Sequence, residues 1–251
     1  MTDNEPKKYT REDYVYLSKL NEKAERYPEM ITFIKEMIKM NPKLNKEECD
    51  ILSTGYKNMI TDKRNNWRIL NSMLRKELKE DKKSKNIKNI EEIKYHVESE
   101  IKAICKDLQN LIDEYLIPKV DQFENEVCFY TLKADYFRYL CEITKGSEFE
   151  ENIKKSEEFY KKAYNIALKN LPVNNCTRVG LGLNYAIFLY EIKGDKKAGF
   201  GISKSTFDEC MRFVDDLERP KYKDTLMIIQ LIKENIIFWS SEMNDDDNKI
   251  E

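Results

Sequence analysis

SEEFYKKAYNIAL, Ser156–Leu168, and NYAIFLYEIKGDKKAGFGISKSTFDEC, Asn184–Cys210, share one pattern. Small and aromatic residues alternate along both, as in helices that pair closely with a neighbour. No segment of the chain shows the period-two alternation of a half-buried strand. These two stretches therefore set the fold class as all-α.

Working outward, Pro and Gly mark the breaks between helices. The pattern predicts nine helices, over residues 10–25, 29–40, 45–79, 89–114, 119–144, 148–169, 176–192, 196–217 and 221–242. Asn45 with Glu48 three residues on reads as a capping box. Pro118 and Pro220 fall where helices are expected to begin. The segment 81–89, DKKSKNIKN, reads as a polar, basic loop. Nine antiparallel helices in pairs imply an array of the tetratricopeptide type. Residues 1–242 read as a single domain and 243–251, MNDDDNKIE, as an acidic flexible tail.

The 251 residues hold 44 basic and 46 acidic side chains, a net charge of −2. That balance argues against nucleic acid as a partner and confines any anion site to a local patch. Only 7 Gly and 6 Pro are present, fewer than a Gly-looped nucleotide fold would use. Neither a GxxxxGK[ST] phosphate loop nor GxGxxG occurs. Six dispersed cysteines (Cys49, Cys105, Cys128, Cys141, Cys176, Cys210) form no CxxC pair, and His96 is the sole histidine. These point to free, mostly buried thiols in a reducing compartment, with no metal site and no cofactor. No run approaches 18 apolar residues, so no membrane span is expected. An enzyme would have to use His96, on the charged stretch IKYHVESEI, where a solvated or interface histidine is the simpler reading.

Polar residues recur on four helix faces. Lys57 and Arg64 are seven apart, two turns along one face. KADYFRYLCEI, Lys133–Ile143, carries Asp135, Arg138 and Tyr139 together. Asn184, Ile187 and Glu191 share a second spacing; Leu231, Asn235, Phe238 and Trp239 share a third. Lys57, Arg64 and Arg138 suit a dianion, and Tyr139 adds a hydroxyl donor. Asn184 and Asn235 have amides able to pair with an extended peptide. Leu183, Ile187, Leu231 and Phe238 would form an apolar wall opposite. Simpler alternatives stand beside each reading. Lys57 and Arg64 could be a solvated face, Trp239 core packing, Asn184 a satisfied buried amide, and Arg138 the exposed partner of Asp135.

YKNMITDKRNNWRIL, YFRYLCEI, RVGLGLNYAIFLYEI and YKDTLMIIQLIKENIIFWSSE closely resemble the 14-3-3 family, as do KAERYPEM, YKKAYNIA and STFDEC. The resemblance runs from about Asp13 to Glu242. It implies nine antiparallel helices, a dimer, and an amphipathic groove for phosphoserine or phosphothreonine peptides. It places phosphate on Lys57, Arg64, Arg138 and Tyr139. It places the peptide on Asn184, Asn235, Glu191 and Trp239, with Leu183, Ile187, Leu231 and Phe238 as the wall. Helices before about residue 115 would dimerise, with Arg26 and Glu100 as a cross-subunit ion pair beside Leu20, Ala24, Leu70 and Ile93.

Several positions depart from the family pattern. Thr131 replaces a groove lysine one turn before Asp135. Asn66 replaces a serine whose phosphorylation disrupts the dimer. His96 and Ile93 replace a lysine and a tyrosine at the dimer surface, and the loop at 79–89 is about three residues longer. The expected function is a non-catalytic adaptor for phosphorylated client proteins. It would be a homodimer, or a heterodimer with another family member, in the cytoplasm or, following clients, the nucleus. The alternative is a helical scaffold or chaperone-like binder indifferent to phosphate. The acidic tail could occupy the groove.

Overall fold

A computed structural model describes residues 9–213 and 222–247, with the side chains of 244–247 excepted. Among the described residues there are nine α-helices and no strand. They are α1 (Arg11–Lys23), α2 (Tyr27–Met40), α3 (Lys46–Glu80), α4 (Lys85–Leu111), α5 (Phe123–Ile143), α6 (Gly146–Asn170), α7 (Cys176–Ile187), α8 (Lys196–Met211) and α9 (Lys223–Asp247). Short links fold successive helices back on each other in pairs.

The described helices gather into two compact units, one before and one after the boundary at residues 121 and 122. In the first unit, Met30, Ile34, Met37, Ile38, Leu52, Tyr56 and Ile60 form a fully buried seam of α2 and α3. Arg11 fastens the corner. It donates to Glu48 through Nε (2.7 Å) and Nη2 (2.9 Å), and to the carbonyls of Met37, Asn41 and Lys43. One guanidinium thus ties the end of α2, where backbone carbonyls lack helical partners, to a carboxylate in the first turn of α3. Asn45 and Glu48 make the expected capping box.

In the second unit, α7 and α8 come unusually close. A Cβ on Gly199 would lie 2.8 Å from the Ala186 carbonyl oxygen, so only glycine lets the two backbones meet there. A core of Val179, Leu183, Cys210, Ile229 and Ile232 joins α7, α8 and α9. None of the six cysteines is in a disulfide, and four of them are buried. Burial pushes the Cys141 thiol up to about 12 and Cys210 up to about 11, so neither is a thiolate near neutrality.

Several boundaries differ from expectation. Residues 85–89 are helical, so the loop shrinks to a turn at 81–84. Ser84 caps the helix by accepting from the Asn86 amide, and Glu77 accepts from Ser84 and Asn86. Pro118 does not open α5. It sits in a 3-10 turn, Ile117–Lys119, that follows a π turn, Ile112–Leu116, and α5 begins only at Phe123. α8 stops at Met211; positions 214–217 and Pro220 lie outside the described residues. α9 continues to Asp247, so the first five residues assigned to the tail are helical, and 248–251 lie outside the described residues. Among the described residues no helix is long and apolar enough to cross a membrane.

Candidate functional site

Three helices of the second unit, α5, α6 and α7, bring four polar side chains together. Asp135 and Arg138 are one turn apart on α5, and Arg138 donates from Nη2 to Asp135 Oδ1 at 3.0 Å. Tyr160, on α6, is fully buried. Its hydroxyl accepts from Arg138 Nε at 3.1 Å and donates to Asp135 Oδ1. Asn184, on α7, donates from Nδ2 to the other oxygen, Asp135 Oδ2, at 3.0 Å. Tyr139 lies beneath the guanidinium, 4.7 Å from its carbon to the ring centre.

The protonation states agree with this pattern. Burial works against the charged Arg138, but Tyr160, Asp135 and Tyr139 outweigh it and hold its pKa above the ordinary value. Burial, with Asp135 beside it, raises the Tyr160 hydroxyl against the opposing pull of Arg138. Tyr160 is therefore neutral and can accept and donate at once. Arg138 is 12% exposed at its side chain. Two of its three nitrogens are engaged, and among the described residues Nη1 has no acceptor. A buried cation with a free donor edge is suited to an incoming anion.

The remaining predicted residues of this unit divide. Leu231 and Phe238 stand open on one side of α9, 50% and 63% exposed, with half-buried Asn235 on the turn between them. Leu183 belongs instead to the core, and Ile187 packs against it. Trp239 is 1% exposed and stacks on Tyr190 with ring centres 4.2 Å apart. Core packing, the simpler alternative, describes it. Glu191 lies in a π turn, Phe188–Ile192, that extends α7. Partial desolvation raises its carboxyl, Glu242 and Glu142 push the same way, and Arg138 opposes them.

In the first unit, Lys57 is exposed and Arg64 half-buried on α3, two turns apart. Arg26 donates from Nε to Glu29 at 3.0 Å, and Glu100 pairs with Lys63 at 2.8 Å. Leu20 and Ile93 are both at least half exposed. Among the described residues no cluster of three or more His, Cys, Asp or Glu could hold a metal ion. His96 is exposed on α4 beside the Tyr95 ring.

Sequence reasoning missed Tyr160. Its bonded partners are 22 and 25 residues away, so helical spacing could not reveal them. The available signal was a tyrosine where phenylalanine would pack as well, since a buried hydroxyl usually has a partner.

A sequence model of the 14-3-3 protein family matches residues 17–240. The chain belongs to the 14-3-3 family. It is 40% identical over 238 residues to 14-3-3-like protein C of Glycine max, covering 94% of this chain and 91% of that one. It is 37% identical to 14-3-3-like protein GF14 epsilon of Arabidopsis thaliana, covering 94% and 92%. It is also 37% identical to Protein BMH2 of Saccharomyces cerevisiae, covering 94% and 86%. 14-3-3 proteins are non-enzymatic adaptors whose general role is to bind phosphorylated client proteins, and they form dimers. The nine described helices agree with the all-α 14-3-3 fold.

Proposed function

We propose that this 14-3-3 chain binds phosphoserine or phosphothreonine segments in an amphipathic groove and thereby masks, clamps or relocates the proteins that carry them. The observation that carries this reading is Arg138. It is charged and largely buried, and it is braced by Asp135 and Tyr160 with Nη1 left over. A phosphate monoester carries about −1.5 to −2 charge near neutrality, and a planar guanidinium matches its oxygens. Tyr139 would add a hydroxyl. The family resemblance adds Lys57 and Arg64. Asn184 and Asn235 would hold the peptide backbone, and the open Leu231 and Phe238 would receive apolar side chains.

The test is a fluorescence-polarisation titration at physiological salt. The probe is an Arg-Ser-x-phosphoserine-x-Pro peptide beside its unphosphorylated twin. Binding of the phosphorylated form alone supports the reading. Equal binding of both favours a phosphate-indifferent scaffold, for which Thr131, in place of a groove lysine, is the supporting observation.

The working form would be a homodimer built through α1–α4. A hollow of about 280 Å³ lined by Asn66, Ile69, Leu70, Ile93 and Val97, and one of about 300 Å³ lined by Tyr16, Lys19, Leu20, Glu22 and Lys23, supply apolar surface for it. Ala24 caps α1 beside the second. Arg26 and Glu100 would exchange their partners within the chain for each other across the interface. Sedimentation that finds only monomer at micromolar concentration would refute the dimer. Cytoplasmic clients, and nuclear ones by co-transport, are the expected setting.

A further inference from the structure

Arg138 and Asn184 are separate anchors in the reading above, one for phosphate and one for peptide backbone. They do not bond to each other, yet each holds a different oxygen of the same carboxylate. Tyr160 fixes that carboxylate and Arg138 together. It donates to Asp135 Oδ1, accepts from Arg138 Nε, and has no exposed surface with which to meet a ligand. Its ring is held independently, stacked on Tyr185 at 5.2 Å and packed against Phe188 at 5.3 Å. The hydroxyl is therefore separable from the packing.

We propose that Asp135 couples the two anchors and that Tyr160 is the positioning residue that sets this coupling. The inference rests on the phosphopeptide reading for its consequence but not for its geometry. Three side chains on three helices share the Asp135 carboxylate, so the guanidinium cannot turn without releasing a bond to the group that also orients the Asn184 amide. Pre-organisation removes the ordering cost that a free arginine would meet on binding. A bound phosphate thus finds Nη1 already aimed, and the Asn184 amide is set by the same carboxylate. Phosphate recognition and backbone registration are in this way linked rather than additive.

The experiment uses the full chain as Tyr160→Phe and as Asn184→Ala. The Arg138 Nε–H signal is followed by proton–nitrogen NMR without ligand and assigned through its loss in Arg138→Lys. The same phosphopeptide is then titrated. Wild type should give a sharp Arg138 Nε signal protected from exchange. Tyr160→Phe should broaden or lose it and weaken phosphopeptide affinity roughly three- to tenfold. The unphosphorylated twin should be unaffected. Asn184→Ala should shift the Arg138 Nε signal although the two side chains do not bond. A general loss of stability would lower the melting temperature without selecting this one signal. An unchanged Nε signal in both variants would overturn the coupling even if wild type binds phosphopeptide tightly. If wild type shows no phosphate preference, the functional reading fails, while the NMR comparison still decides the coupling.

Discussion

Tyr190 and Trp239 stack face to face, 4.2 Å between ring centres and 8° between planes, and join the end of α7 to α9. Tyr190 also donates its hydroxyl to Glu242 at 2.9 Å. Ala186 completes this small core, with Ile187, Phe200, Ile202 and Met243 around it.

Trp239→Ala should therefore act on stability. Truncating a fully buried tryptophan costs about 3–5 kcal/mol. Trp239→Phe keeps an aromatic stack and should cost less. Urea denaturation should show the loss, whereas phosphopeptide affinity of the folded Phe variant should stay within about twofold of wild type. A folded Trp239→Phe protein that binds ten times more weakly would return Trp239 to the groove.

Arg138→Ala should lower phosphopeptide affinity by roughly ten- to a hundredfold, since charge-assisted hydrogen bonds contribute about 1.5–3 kcal/mol. It should also destabilise the fold, because Asp135 keeps its burial and loses its cation. Arg138→Lys separates the two effects. A point charge can neutralise Asp135 in part but cannot span Tyr160, Asp135 and a phosphate at once. Polarisation titrations and thermal melts of both variants check this ordering.

Thr131→Lys should strengthen binding. Thr131 is half-buried on α5 and turns its hydroxyl back to the Val127 carbonyl at 2.7 Å, as a helical threonine commonly does. A lysine one turn before Asp135 would add a cation to the anion site. Affinity for the phosphopeptide should rise, and its salt dependence should steepen. A lysine variant with unchanged affinity in low salt would show that this position does not face the phosphate.

Glu191 should make stability depend on pH in a defined direction. Its carboxyl is raised in the folded protein, first by desolvation. The folded state then holds the proton more readily than the unfolded state, so stability falls as pH rises from about 4.5, the ordinary glutamate value, through the raised one. Glu191→Gln removes that loss. Urea midpoints of variant and wild type should lie closer together at pH 4.5 than at pH 7. Equal spacing at both would contradict the assignment.

The helices were legible because their ends are written in local chemistry. Asn45 and Glu48 announce the start of α3, and Gly194, at a φ of 78°, breaks the chain before α8. The start of α4 was not legible. Residues 85–89 are polar and basic, and the carboxylate of Glu77 that fixes Ser84 and Asn86 belongs to the preceding helix. At the site, Arg138 and Asn184 were readable as residue types that suit phosphate and peptide. That Asp135 holds both was not, because Asn184 lies 49 residues further on. The burial of Trp239 was not legible, because spacing tells which residues share a helix face but not which part of that face is covered.

The π turn Phe188–Ile192 gives α7 a loop of chain wider than an α-helical one just before Gly194. Such a turn holds one residue more than a regular helix would need. A relative lacking a single residue here could close the segment as ordinary helix with every other contact of α7 intact. Everything after it would keep its place, because the π turn already takes up the extra residue locally. Two sequences differing by one deletion at this point would then present α8 with the same side toward its neighbours.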